Sequence, residues 1–241
     1  MPENVFLINF DYDNTLAPLA KPMYPQAIEK ITKLVSDGHI VTINTGKPVY
    51  YMVGVCREAG LQDIWLIGEN GCDICYGVSL PLKKPFNNHV KPESLRFLDD
   101  IKSELTSIFG NRLWFEPKIV ALSPFFDTSE TQEELQEYLD ARKAIFSEYD
   151  INIFPHEDCF DLVPDGIDKS TGIKTLQKNF SIPVDKTIAI GDTWNDVPMF
   201  EACGHSIVIN FPELQLKSSI SNQICHVNDI DEALEKLDSI I

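Results

Sequence analysis

Across its 241 residues the chain carries 37 acidic against 20 basic side chains, a formal net charge of −17, with 44% of residues hydrophobic and 24% charged. That length holds one domain with a large insertion or two small domains, and so acidic a chain repels nucleic acid and anionic lipid, whose binding depends on lysine and arginine neutralising phosphates. No apolar run approaches the roughly 20 residues of a membrane span, so neither nucleic acid nor membrane is expected as a partner.

In chain order, Val5–Phe10 is a short apolar run of strand type. Gln26–Asp37 then places Ile28, Ile31, Leu34 and Val35 at helical spacing until Gly38 stops it. The alternation repeats with strand His39–Ile43, helix Val49–Ala59 ended by Gly60, and strand Ile64–Ile67 followed by Glu69-Asn70-Gly71. Such alternation predicts a parallel sheet with helices on both faces.

Beyond Leu82-Lys-Lys-Pro-Phe86 the rhythm changes. Helix Pro92–Phe109 leads to strands Leu113–Phe115 and Ile119–Phe126, and helix Thr131–Tyr149 to strands Ile151–Phe154 and Phe160–Val163. Helix-strand-strand twice over is an α+β unit, expected as a cap at 81–163 inserted into a core of residues 1–80 and 164–241. The first rhythm returns with helix Thr171–Asn179, strand Thr187–Ile190, a short helix Val197–Cys203, strand Ser206–Ile209 and helix Asp231–Ile240. The expected fold class is α/β, a Rossmann-like parallel sheet core with an inserted α+β cap.

Three core strands end in polar residues: Phe10-Asp11-Tyr-Asp13-Asn-Thr15, Ile43-Asn44-Thr45-Gly46-Lys47, and Ile190-Gly191-Asp192-Thr-Trp-Asn195-Asp196. Ligands of open α/β sheets bind outside the carboxyl ends of the strands, so the three groups can converge on one site. Asp11, Asp13, Asp192 and Asp196 would then bring four carboxylates together. They repel one another unless a hard cation with oxygen ligands neutralises them, and magnesium is the natural candidate. Thr45 offers a hydroxyl and nearby backbone amides to phosphate oxygens, and Lys169 supplies the local positive charge that an acidic chain needs beside a phosphate.

Asp11-x-Asp13-x-Thr15, Thr45-Gly46, Lys169 and Gly191-Asp192-x-x-Asn195-Asp196, in that order, resemble the four motifs of the haloacid dehalogenase superfamily. An α+β insertion between the second and third motifs, with Glu69-Asn70-Gly71 after a strand, is similar to the Cof-type and sugar-phosphate phosphatase subgroup. The resemblance implies a magnesium-dependent phosphatase acting on a small phosphorylated metabolite, such as a sugar phosphate. In that reading Asp11 attacks phosphorus to give an aspartyl-phosphate, and Asp13 protonates the leaving oxygen and later deprotonates water. Asp11, Asp13 through its backbone carbonyl, Asp192 and Asp196 are the implied metal residues, and Thr45, Gly46, Lys169 and Asn195 the implied phosphate holders. Two positions depart from the pattern: Lys47 stands where many relatives carry arginine, and Ser170 where glycine is frequent.

Other readings stand beside this one. A calcium loop starting at Asp11 fails, because its sixth and twelfth positions are Leu16 and Pro22 where glycine and glutamate are required. Cys72-x-x-Cys75 with His156-x-x-Cys159 has the composition of a zinc site. A phosphosugar mutase would use the same aspartate, yet Lys118–Phe126 has no arginine for a second phosphate. A non-catalytic protein of the same fold would have no need of Asp11, Asp13, Lys169 and Asp192 together. Met1-Pro-Glu-Asn4 lacks the basic start of a secretory signal, and six scattered cysteines suit reduced thiols, so a cytoplasmic location is expected. Nothing in the sequence fixes the oligomeric state, and a monomer suffices.

Overall fold

The structure, a computed structural model, describes residues 5–87, 90–214 and 223–241; the Met1–Asn4 start lies outside them. The chain divides into two compact units, Met1–Asn88 with Asp168–Ile241, and His89–Ile167. The first unit is built on eight strands: β1 (Leu7–Phe10), β2 (Ile40–Asn44), β3 (Trp65–Gly68), β4 (Asp73–Tyr76), β5 (Lys83–Asn87), β10 (Thr187–Gly191), β11 (His205–Ile209) and β12 (Gln223–Val227). Their order in the sheet is β12-β11-β10-β1-β2-β3-β4-β5. Strands β12 to β3 run parallel, and β4 and β5 are added antiparallel.

Side chains alternate across a strand, so Ile8 and Phe10 of β1 face one core and Leu7 the other. Helices α1 (Pro25–Ser36), α2 (Val49–Glu58) and α8 (Ile230–Asp238) cover the first face with Ile31, Leu34, Met52 and Leu237. The second is covered by α6 (Lys169–Phe180) and α7 (Val197–Glu201) through Ile173, Leu176, Met199 and Phe200. Coverage of both faces explains why the central strands read as apolar runs. Because β10, β1 and β2 are adjacent and parallel, the residues that follow them, Asp192, Asp11 and Thr45, are brought to one edge.

The second unit has its own core of residues such as Leu98, Leu105, Leu135, Phe146, Phe160 and Leu162. Strands β6 (Leu113–Phe115) and β7 (Pro124–Phe126) pair antiparallel, as do β8 (Ile151–Pro155) and β9 (Phe160–Pro164). Single bridges Leu122 to Leu162 and Phe125 to Cys159 link the two ribbons. Helices α3 (Pro92–Phe109), α4 (Ser129–Ala141) and α5 (Lys143–Glu148) complete the unit.

Several expectations shift. The changeover falls at 88/89 and 167/168 rather than at 80/81 and 163/164, because Lys83–Asn87 pairs with β4 inside the main sheet. Its Lys-Lys-Pro sequence suits an edge strand better than a linker. The helix expected over Thr131–Tyr149 breaks at Arg142, at φ −112° and ψ 8°, whose guanidinium lies 3.7 Å from the Tyr138 ring centroid and donates to Glu104 at 2.8 Å. The strand expected over Ile119–Phe126 shrinks to three residues, since Lys118 turns inward to Ser123 (2.7 Å), Asp161 (3.2 Å) and Glu116 (3.3 Å) while Ile119 is exposed. Among the described residues, no helix is long and apolar enough to cross a membrane.

Candidate active site

Asp11 is the first residue after β1. Its N–H donates to the Ile190 carbonyl of β10 at 2.8 Å, which ties the two strand ends together. The chain then folds tightly, with the Tyr12 carbonyl accepting from the N–H groups of Leu16 (2.9 Å) and Ala17 (3.1 Å). This turn needs a left-handed residue, and Asn14 takes φ 60°, a region asparagine tolerates better than most. Asp11 is thereby buried while Asp13 stays partly exposed, its Oδ2 3.1 Å from the Lys47 ammonium.

The turn after β10 is organised by a single carboxylate. Asp196 Oδ2 accepts the backbone N–H groups of Asp192 (3.0 Å) and Thr193 (3.1 Å), and its Oδ1 accepts from Lys169 at 2.6 Å. Gly191 makes this approach possible: a Cβ there would lie 2.5 Å from Asp196 Oδ2 and 2.7 Å from its Cγ. Asp192, directed by the same turn, accepts from the Thr15 hydroxyl at 2.9 Å.

Lys169 opens α6. Asp168 caps the helix, accepting from the Ser170 N–H at 2.7 Å and the Ser170 hydroxyl at 2.5 Å, while the Thr171 hydroxyl oxygen accepts the Asp168 N–H at 3.1 Å. Serine at 170 therefore serves the cap. Asn44, the last residue of β2, holds the Lys169 carbonyl through Nδ2 at 2.7 Å. The Glu69-Asn70-Gly71 turn also fits here: all three have positive φ, and a Cβ on Gly71 would meet the Asp168 carbonyl at 2.3 Å. Only glycine lets that turn lie against the start of α6.

The Lys169 ammonium, 2.5 Å from Asp11 Oδ1, bridges Asp11 and Asp196 inside the protein. Burial alone would lower its pKa, but the two carboxylates outweigh that and raise it, so it stays charged. One ammonium among three carboxylates leaves an excess of negative charge. Burial, then the neighbouring Asp196 and Asp192, hold the Asp11 carboxyl well above the usual range against the pull of Lys169. Burial and Asp196 push Asp192 up to about 6 despite the Thr15 hydrogen bond.

Of the residues singled out in the sequence, Asp11, Asp192 and Asp196 offer carboxylate oxygens within 4.8 Å of one another. The donor set is all hard oxygen with surplus charge, which fits a small divalent cation. Proximity groups all three; both oxygens of Asp196 are engaged by Lys169 and the turn, whereas Asp11 and Asp192 are held through Oδ1, by Lys169 and Thr15. The Asp13 carboxylate lies outside this cluster. Thr45 is buried at the end of β2, its Oγ1 accepting the Lys47 N–H at 3.2 Å, and Gly46 lies beside Asn70, whose Oδ1 a Cβ would meet at 3.3 Å. Asn195 is exposed on the Asp192–Asp196 turn and makes no hydrogen bond to the cluster among the described residues. Among the described residues, neither Cys72 and Cys75 nor His156 and Cys159 belong to a cluster of metal-ligating side chains. Sequence reasoning missed Asn44 and Asp168; a buried polar side chain closing the apolar run Ile40–Ile43 and an Asp-x-x-Thr cap were the available signals.

The sequence profile of haloacid dehalogenase-like hydrolases matches residues 8–119 and 111–234. A phosphoglycolate phosphatase of Nitrosopumilus maritimus is 29% identical over 219 residues, covering 89% of this chain and 88% of the relative. An HMP-PP phosphatase of Yersinia pseudotuberculosis is 25% identical over 239 residues, covering 89% and 87%. Among solved structures, a haloacid dehalogenase-like hydrolase from Bacteroides thetaiotaomicron superposes with a TM-score of 0.76 at 20% identity, covering 98% of this chain and all of that one. With the profile running from β1 into α8 across both units, the chain belongs to the haloacid dehalogenase-like hydrolase family, in its Cof-type branch.

Proposed function

We propose that this phosphoric monoester hydrolase is magnesium-dependent and cleaves a small phosphorylated metabolite, such as a sugar phosphate, through an aspartyl-phosphate on Asp11. The observation that carries the reading is the buried Lys169 bridge between Asp11 and Asp196 beside Asp192. It supports the reading because a buried carboxylate suited to attack, an ammonium suited to phosphate and an oxygen cluster of surplus charge share one place. Asp11 and Asp192, with the Asp13 backbone carbonyl, would hold the cation, and Asp196 acts as a positioning residue. Bound there, magnesium would neutralise charge on the phosphoryl oxygens.

In the first half-reaction an Asp11 oxygen bonds to phosphorus, the bond to the leaving oxygen breaks, and Asp13 donates its proton to that oxygen. In the second, Asp13 takes a proton from water, the hydroxide oxygen bonds to phosphorus, and the Asp11 ester bond breaks to release phosphate. Thr45, with no acceptor for its hydroxyl hydrogen among the described residues, and Lys169 donate to the phosphoryl oxygens. Such groups act by positioning and charge stabilisation. The 89–167 unit is read as the cap that selects the substrate. Six free cysteines, five of them buried, suit work in the cytoplasm. The relatives' names, a phosphoglycolate and an HMP-PP phosphatase, support a small phosphorylated compound as substrate, and the first of them a phosphomonoester.

The test is phosphate release from a panel of phosphorylated sugars, polyols and small acids, with magnesium and with EDTA. Release that needs magnesium is expected. Full release in EDTA would remove the metal, and no release from any ester would remove the activity.

A further inference from the structure

The carboxyl edge of the sheet carries a large apolar side chain that the chemistry above does not use. Trp194 stands in the turn between Asp192 and Asp196 and is 62% exposed. Its backbone is not free to wander. Asp196, which holds Lys169, also holds the N–H groups of Asp192 and Thr193, and the Asp196 N–H returns to the Thr193 carbonyl at 3.1 Å. The ring is fixed as well: Phe211 meets it edge-on, with centroids 4.7 Å apart and planes at 87°. Phe211 follows β11, the strand next to β10, so the pair belongs to the edge where ligands of such sheets bind.

The sheet order sets a second aromatic on the other flank of β1. Tyr51 follows β2, is exposed, and has the Lys47 ammonium 5.4 Å from its ring centroid. Lys47 is engaged by Asp13, as Lys169 is by Asp11 and Asp196. A second anion on the substrate therefore finds no uncommitted ammonium among these two lysines, whereas a flat or C–H-rich face finds an exposed indole held rigid beside the carboxylates. Rigid aromatic faces at a polar site give contact area at little cost in side-chain freedom.

We propose that Trp194 is a specificity-determining residue, its indole forming the surface on which a ring in the leaving alcohol stacks, so that the substrate is a phosphomonoester of a ring-bearing alcohol. This rests on the phosphatase reading above and narrows its substrate class.

The experiment compares glucose-6-phosphate with phosphoglycolate, which has no ring, on wild type, Trp194→Ala and Trp194→Phe. Trp194→Ala is expected to lower kcat/KM for glucose-6-phosphate about 10- to 100-fold, mostly through KM, the range one stacked ring accounts for. It should leave phosphoglycolate within about threefold, and Trp194→Phe should restore most of the loss. An equal loss on both esters, or a fall in magnesium affinity, would make Trp194 a structural part of the turn and overturn the proposal. Turnover of phosphoglycolate with none of glucose-6-phosphate would overturn it while leaving the phosphatase reading intact. If wild type releases phosphate from neither, the full panel decides the phosphatase reading, and binding decides the stacking. Trp114 is also exposed, so fluorescence is read in a Trp114→Phe background, where glucose-6-phosphate should change Trp194 emission and phosphoglycolate should not. No change with the sugar ester would end the proposal.

Discussion

The Lys169 ammonium donates to Asp196 Oδ1 at 2.6 Å with both side chains sealed from water. The same ammonium reaches Asp11, so one cation neutralises part of a charge cluster that burial makes costly. Lys169→Met would leave two buried carboxylates without it. The variant is predicted to lose about 3–5 kcal/mol at neutral pH, the usual consequence of stranding a buried charge. Its deficit should shrink as the carboxylates protonate in acid. Urea unfolding of wild type and variant at neutral and mildly acidic pH checks this; a deficit that does not change with pH would make the loss one of packing.

Gly191→Ala tests the turn that aims Asp196. The added Cβ would fall 2.5 Å from Asp196 Oδ2, so either the carboxylate or the β10 end must move. A loss of about 1–3 kcal/mol is expected, as for other overpacked sites. Phosphate release should fall further than stability does, because Lys169 and Asp192 are both positioned through Asp196. Parallel denaturation and kinetic curves check it, and unchanged activity would show that Asp196 is not needed to place them.

Metal-free stability should depend on pH in an unusual direction. Burial and Asp196 hold Asp192 at about 6, and Asp11 is raised as well, whereas in the unfolded chain an aspartate titrates near about 3.9. An acid with a raised folded pKa binds its proton more tightly in the fold. Its contribution is therefore favourable below the unfolded value and is lost as pH rises from there through about 6. A hard cation that binds only the ionised native cluster opposes that loss. Magnesium should thus raise Tm more at about pH 7.5 than at about pH 5, on either side of the raised Asp192 carboxyl pKa. Asp192→Ala should be at least as stable as wild type in EDTA and gain little from magnesium. Thermal scans with EDTA and with magnesium decide; a variant that keeps the full magnesium shift would make Asp192 a structural turn residue.

The parallel core was legible because β1, β2, β3, β10 and β11 are apolar runs separated by helices of clear period, and the site because its carboxylates follow those runs. What stayed hidden depends on tertiary pairing. Lys83–Asn87 is an edge strand with little apolar content and Gln223–Val227 a short edge strand without a buried residue, and pairing with a neighbour makes them strands. The division of labour among Asp11, Asp192 and Asp196 was likewise invisible: spacing shows three acids, and only hydrogen-bond partners show that Asp196 is committed. Lys169 itself looks like an ordinary lysine before a helix until the fold buries it.

The most direct test of the account is to catch the phosphorylated enzyme. Wild type mixed with magnesium and a hydrolysed phosphomonoester, quenched in acid within a turnover, should carry an alkali-labile phosphoryl group on the peptide that holds Asp11, and Asp11→Asn, folded but unable to attack, should carry none and release no phosphate. A phosphoryl group on another residue, or an Asp11→Asn protein that turns over near the wild-type rate, would contradict it.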